Sequence, residues 1–182
     1  MRIFTDERQY DLGPCAIALG TFDGVHIGHQ ALIRRAMELA RELDAVSVVY
    51  TFDRHPLSVL FPERAPRELL TLEEKLDKLE KLGVDGAIVK PFSREFAAME
   101  PVGFLELLAR ELCVRAVVAG FNYTFGAMGR GNAALIRGEA ARLNYRAEIV
   151  DAVRDGEDTV SSTLIRALLE RGDVARAERL MR

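Results

Sequence analysis

The feature that most constrains this chain is a junction. The apolar run Ala16–Leu19, read as a buried strand, breaks at Gly20 and Gly24 and passes through His26-Ile27-Gly28-His29 into an apolar-periodic helix. The same junction sets a chemistry. Unpaired N–H groups and the positive dipole end at a helix start favour an anion, and two imidazoles beside them favour a phosphate. Gly28, with no Cβ, would let a phosphate or base approach closely. Two histidines three apart could instead reach a zinc ion. However, no third ligand lies close in sequence, and Cys15 and Cys113 lack metal-like spacing and read as small core residues.

Strand-like runs alternate with helical patterns from there on, which predicts a Rossmann-like α/β fold: a parallel sheet of about five strands with flanking helices, plus a small hairpin and C-terminal helices. The first helix, from Gly28 to Leu43, turns Leu32, Ile33, Ala36, Leu39, Ala40 and Leu43 to one face. Val46–Phe52 is a central strand, followed by a loop through Pro66. Thr71-Leu72-Glu73-Glu74 is a capping box opening a helix that Gly83 closes, with Leu72, Leu76, Leu79 and Leu82 inward. Val84–Val89 is a short strand. Pro101 opens a helix to about Leu112, and Val114–Ala119 is the strand after it. A helix from about Ala133 to Leu143 and a strand from about Tyr145 to Val150 follow; Asp155-Gly156 turns a hairpin. Ser161-Ser162-Thr163 opens a helix to about Arg171, with Ser161 or Ser162 as its N-cap, and a last helix begins near Asp173.

Three further loops follow strand-like runs and would gather with the first at one sheet edge. Ser161-Ser162-Thr163 with Arg166 makes a second anion cradle with a charged donor one turn on. The loop Gly120–Asn132 holds Phe121, Asn122, Tyr123 and Phe125 among glycines. Its aromatics can enclose a flat ring or enter the core, and Asn122 can bond an amide-like edge or a metal-bound phosphate. Asp53, Arg54, His55 and Pro56 end the Val46–Phe52 strand, placed to touch a ligand or to clamp the following loop.

Twenty-five basic against 28 acidic residues leave a net charge of −3, so nothing favours nucleic acid or an anionic membrane in general. With no apolar signal core and no spanning run, a cytoplasmic location is expected. The absence of a Gly-Lys-Ser/Thr loop excludes a P-loop kinase.

His26-Ile27-Gly28-His29 resembles the His-x-Gly-His motif of a nucleotidyltransferase superfamily. Four blocks in order, Gly20–His29, Thr51–Pro56, Gly120–Gly126 and Ser161–Arg166, look like the FMN adenylyltransferase (FAD synthetase) module of prokaryotic bifunctional riboflavin kinase/FAD synthetases. The resemblance implies transfer of the adenylyl group of ATP to FMN, giving FAD and pyrophosphate with Mg2+ on the phosphates and no covalent enzyme intermediate. By the same resemblance, His26 and His29 hold the ATP phosphates, with the backbone of Gly20, Thr21, Phe22 and Asp23 and the bare Gly28 close by. Ser161, Ser162, Thr163 and Arg166 bind the triphosphate from the other side. Asn122, Phe125 and Pro56 lie toward the flavin and the metal, whose protein ligands stay unassigned.

Two departures stand out: Arg54 replaces a usual proline, and the riboflavin kinase domain is absent, so residues 1–182 are expected to be one adenylyltransferase domain. Rival readings are a sister nucleotidyltransferase with another phosphorylated acceptor, a class I aminoacyl-tRNA synthetase and a noncatalytic flavin or nucleotide binder. Chain length, acidic balance and a missing Lys-Met-Ser-Lys-Ser loop speak against the synthetase.

Overall fold

In a computed structural model describing residues 1–182, six strands form one parallel sheet: β1 (Arg2–Phe4), β2 (Cys15–Leu19), β3 (Val46–Phe52), β4 (Gly86–Lys90), β5 (Val114–Gly120) and β6 (Arg146–Val150). Their spatial order is β1-β4-β3-β2-β5-β6. The order reverses beside β2, between β3 on one side and β5 on the other, which opens a crevice at the carboxyl ends of β2 and β5.

The helices are α1 (Ile27–Glu42), α2 (Pro56–Leu60), α3 (Leu72–Leu82), α4 (Arg94–Ala97), α5 (Pro101–Leu112), α6 (Ala133–Leu143), α7 (Ser162–Glu170) and α8 (Val174–Met181). A two-stranded hairpin, β7 (Arg154–Asp155) with β8 (Asp158–Thr159), precedes α7. No helix is long and apolar enough to cross a membrane.

Alternation along the strands sorts the core into two layers. Cys15, Ile17 and Leu19 face one side with Tyr50, Phe104, Leu108 and Ile136. Ala16 and Ala18 face the other with Ala116, Ile33, Leu39 and Leu79, where small strand residues let α1 settle close to the sheet. A third, smaller cluster, Val160, Ile165, Leu168, Ala177 and Leu180, holds α7 to α8.

Most element boundaries follow local chemistry. Thr71 and Glu74 form the reciprocal capping box, and Gly83 (φ 89°) closes α3. The parallel sheet, expected with about five strands, has six, since it includes the short edge strand β1, which pairs only with β4 and has too few residues to display a period. Two expectations need correction. The segment after Pro56 is not plain loop, because His55 Nδ1 accepts from Leu57 N and caps α2. Cys113 is not a core residue; it is exposed, in a left-handed conformation (φ 47°) that ends α5, while Cys15 is buried.

Candidate active site

The turn after β2 is built from its backbone outward. Phe22, Gly24 and Val25 take φ of 51°, 88° and 42°, the left-handed region a β-branched residue seldom enters. Burial of the Phe22 and Val25 side chains holds them there. On this path the amides of Thr21, Phe22 and Asp23 donate to no protein acceptor. The Phe22 ring folds over Gly20, where a Cβ would stand 2.9 Å from it.

The two histidines form a stacked pair, ring centroids 3.6 Å apart. His26 is the N-cap of α1: its Nδ1 accepts from His29 N at 3.2 Å. Phe22 meets the His29 ring edge to face at 5.3 Å. Gly28 leaves room for this stack, since a Cβ would lie 3.2 Å from the His26 ring. Burial pushes His26 down to about 4, against the pull of Asp23, and pushes His29 well below the usual imidazole range, helped by His26 and Lys75. Both rings are therefore neutral at pH 7, each with one N–H to donate. His29 Nδ1 is buried with no hydrogen-bond partner.

Asp23 fastens this turn to two distant segments. Its Oδ1 accepts from Leu69 N at 2.8 Å, its Oδ2 pairs with Arg166, and its carbonyl accepts from Ser162 Oγ at 2.9 Å. Arg166 also donates to Arg67 O at 2.7 Å. Ser161 caps α7 by accepting from Leu164 N. The Ser161–Arg166 block is thereby drawn to the histidine turn, although Thr163 is exposed and Arg166 is already paired with Asp23.

Beside the turn opens an apolar groove of about 760 Å³, lined by Thr21, Phe52, Pro56, Phe61, Phe92, Phe96, Met99, Tyr123, Phe125 and Met128 among others. That volume suits a drug-sized ligand. Phe61 and Met128 are exposed at 47% and 94%, so the groove displays apolar surface to solvent. Phe125 is largely core: it stacks on Tyr123 (5.6 Å) and packs against Phe104. Asn122 is exposed over the β2/β5 crevice, its Oδ1 3.5 Å from where a Gly120 Cβ would stand.

On the other side of Thr21 lies a polar pocket of about 20 Å³, room for a single water, bounded by Asp23, Asp53, Arg54, His55, Glu68 and Lys75. Asp53 serves as a clamp, accepting from Phe92 N (2.9 Å) and pairing with Arg54; burial pushes its carboxyl up, and these two partners outweigh that and hold it low. Three of the four loops singled out in the sequence thus meet around Thr21 and the groove, and the fourth joins from α7 through Asp23. Sequence reasoning did not find Lys75, a charge on the inward face of α3, nor Phe92, Phe96 and Met99, carried on and around a helix of four residues too short to show periodicity.

Comparison with known proteins places the chain in a family. Residues 8–164 match the family described as FAD synthetase. A bifunctional riboflavin kinase/FMN adenylyltransferase of Listeria monocytogenes is 39% identical over 166 residues, 91% of this chain and 52% of that protein. One of Bacillus subtilis is 36% identical over 168 residues, again covering 91% and 52%. The chain therefore spans about half the length of these relatives. Among solved structures, a Streptococcus pneumoniae protein described as a macrolide-efflux protein superposes with a TM-score of 0.84 at 28% identity, covering 98% of this chain and 59% of that one.

Proposed function

The chain belongs to the FAD synthetase family, and from that premise we propose that it transfers the adenylyl group of ATP to FMN, giving FAD and pyrophosphate, with residues 1–182 acting as the adenylyltransferase domain. One observation carries the reading: Thr21 lines the apolar groove and is also the residue from which the chain enters the turn that leads to the neutral His26 and His29, so a flat-ring site and a phosphate site would adjoin there.

The flavin ring lies in the groove between Pro56, Phe92, Phe96 and Tyr123, where aromatic faces and exclusion of water favour it. Its phosphate then points toward Thr21 and the α-phosphorus of ATP. An FMN phosphate oxygen attacks that phosphorus while the bond to the β-phosphate oxygen breaks in line, and pyrophosphate leaves. His26 and His29 donate N–H to the phosphates. As neutral donors in a buried site they stabilise the charge of the transition state without giving up a proton. Ser161, Ser162, Thr163 and Arg166 approach the triphosphate from the α7 side, Arg166 being held in register by Asp23.

No group of three or more His, Cys, Asp or Glu is arranged so that it could hold a metal ion by itself. Mg2+ is commonly held by substrate phosphates with few protein ligands, and Asn122 is the side chain that would join it here. When bound, the ion supplies positive charge to the triphosphate.

Incubation with ATP, Mg2+ and FMN, followed by chromatography, tests this reading. FAD and pyrophosphate should appear in equal amounts. FMN binding without FAD would assign a noncatalytic binder instead; no interaction with FMN would sink both flavin readings.

A further inference from the structure

Lys75 is a charged residue on the inward face of α3, between Leu72 and Leu79, and is only 8% exposed. A buried ammonium is destabilising unless each of its three N–H groups finds an acceptor. Here each does: Phe52 O at 2.8 Å, Thr21 O at 3.3 Å and Thr51 Oγ1 at 3.3 Å. These acceptors come from the exits of two adjacent strands. Thr21 leads out of β2 into the histidine turn; Thr51 and Phe52 end β3, and Phe52 lines the apolar groove. The Thr21 carbonyl accepts a second bond from Thr51 Oγ1 at 2.9 Å, so the Thr21–Phe22 peptide is held from two directions. Because that peptide is planar, fixing its carbonyl also fixes the start of the strained path through Phe22 to Val25.

We propose that Lys75 is a positioning residue for the group transfer: its ammonium ties the exit of β2 to the exit of β3 and so sets the distance between the nucleotide turn and the acceptor groove. The inference rests on the adenylyl-transfer reading. Lys75 borders the small polar pocket and lines no part of the groove, so it acts through Thr21, Thr51 and Phe52. An error of spacing between two bound reactants depresses the chemical step more than it depresses binding of either one.

The test is Lys75→Met, close in shape and without donors. FMN binding is read by flavin fluorescence, folding by circular dichroism, and kcat and KM for ATP by FAD formation. With FMN affinity near the wild-type value, kcat per folded molecule should fall about 100-fold, a loss of the size that misplacement of reacting groups produces. If Lys75→Met does not fold, Thr51→Val, which removes both the other donor to the Thr21 carbonyl and one of the acceptors of Lys75, decides by the same split, with a fall of about tenfold or more expected for the two lost hydrogen bonds. An unchanged kcat per folded molecule, or a loss of FMN affinity that accounts for the whole defect, overturns the role of Lys75 alone. A wild-type protein that makes no FAD overturns both readings.

Discussion

At the scale of single residues, the histidine pair makes the most specific claims. His29 presents an unpartnered buried nitrogen, so under the proposed reaction His29→Ala would remove a phosphate donor and break no internal hydrogen bond of its side chain. FAD formation in that variant should fall about 100-fold or more while circular dichroism stays unchanged. His26 has two duties, since its Nδ1 also caps α1. Its folded value of about 4 against an ordinary value near 6.5 fixes a sign. The unfolded chain takes up a proton near pH 6.5 that folded His26 refuses until about pH 4, so stability drops as pH falls through this window and levels off below it, by an amount on the order of 3 kcal/mol. His26→Asn keeps a good capping oxygen and cannot titrate. Urea midpoints between pH 7 and pH 5 should decline less in the variant than in the wild type; equal slopes would remove His26 as the cause. The sequence showed both histidines at a helix start, yet their neutrality depends on burial, His29 lying against the Phe22 ring, which no local pattern reveals. Cys113 and Lys75 were opaque for the same reason: exposure and satisfaction of a charge are set by what packs across, not by neighbours in the chain.

At the scale of elements, helices with caps were legible almost to the residue. Pro101–Leu112 and Ala133–Leu143 run as their start and stop signals require, and the hairpin around Asp155-Gly156 forms where its turn chemistry puts it. The groove was legible only in part, because its floor comes from α4 and the segment around it. The loop after β5 supplies the clearest test. Gly126 has φ +70°, and a Cβ there would stand 2.8 Å from the Pro101 Cα at the start of α5. Gly126→Ala therefore meets backbone strain and a backbone clash together, and should destabilise the protein by about 1–3 kcal/mol. Since Gly126 lines the groove and not the histidine turn, FMN affinity should weaken more than ATP affinity, as separate titrations would reveal. Equal losses would indicate that the loop serves only the general fold.

At the scale of the whole molecule, the sheet carries two large core layers, whereas α7 and α8 rest on a cluster of five buried residues. They are tied to the rest by Ser162 and Arg166 on Asp23, Lys78 on the Met181 carbonyl and Gln30 on the Arg182 carbonyl. A small apolar cluster held by polar ties opens more readily than a central sheet. Amide hydrogen exchange should be faster in α7 and α8 than in β2 and β5, and ATP alone should slow it at the first turn of α7. Arg166→Ala should abolish that slowing and, by leaving the Asp23 carboxylate buried without its partner, cost about 3 kcal/mol in stability. Uniform exchange across the chain would show that the last two helices open only with the whole. Parallel topology was readable from alternating periods. The strapping of α7 to the first turn was not, because it joins residues far apart in the chain by single polar contacts.

The groove and the histidine turn meet at Thr21 but draw on different stretches of chain. Apart from Thr21 and Phe52, the groove wall comes from residues between Pro56 and Gly129, whereas the histidine turn and what is fastened to it, the proposed phosphate side, come from Gly20–His29 and Ser161–Arg166. Inheritance can act on the two separately. A lineage that duplicated this chain could drift through new wall residues, and so try new acceptors, while purifying selection kept the flanking stretches intact.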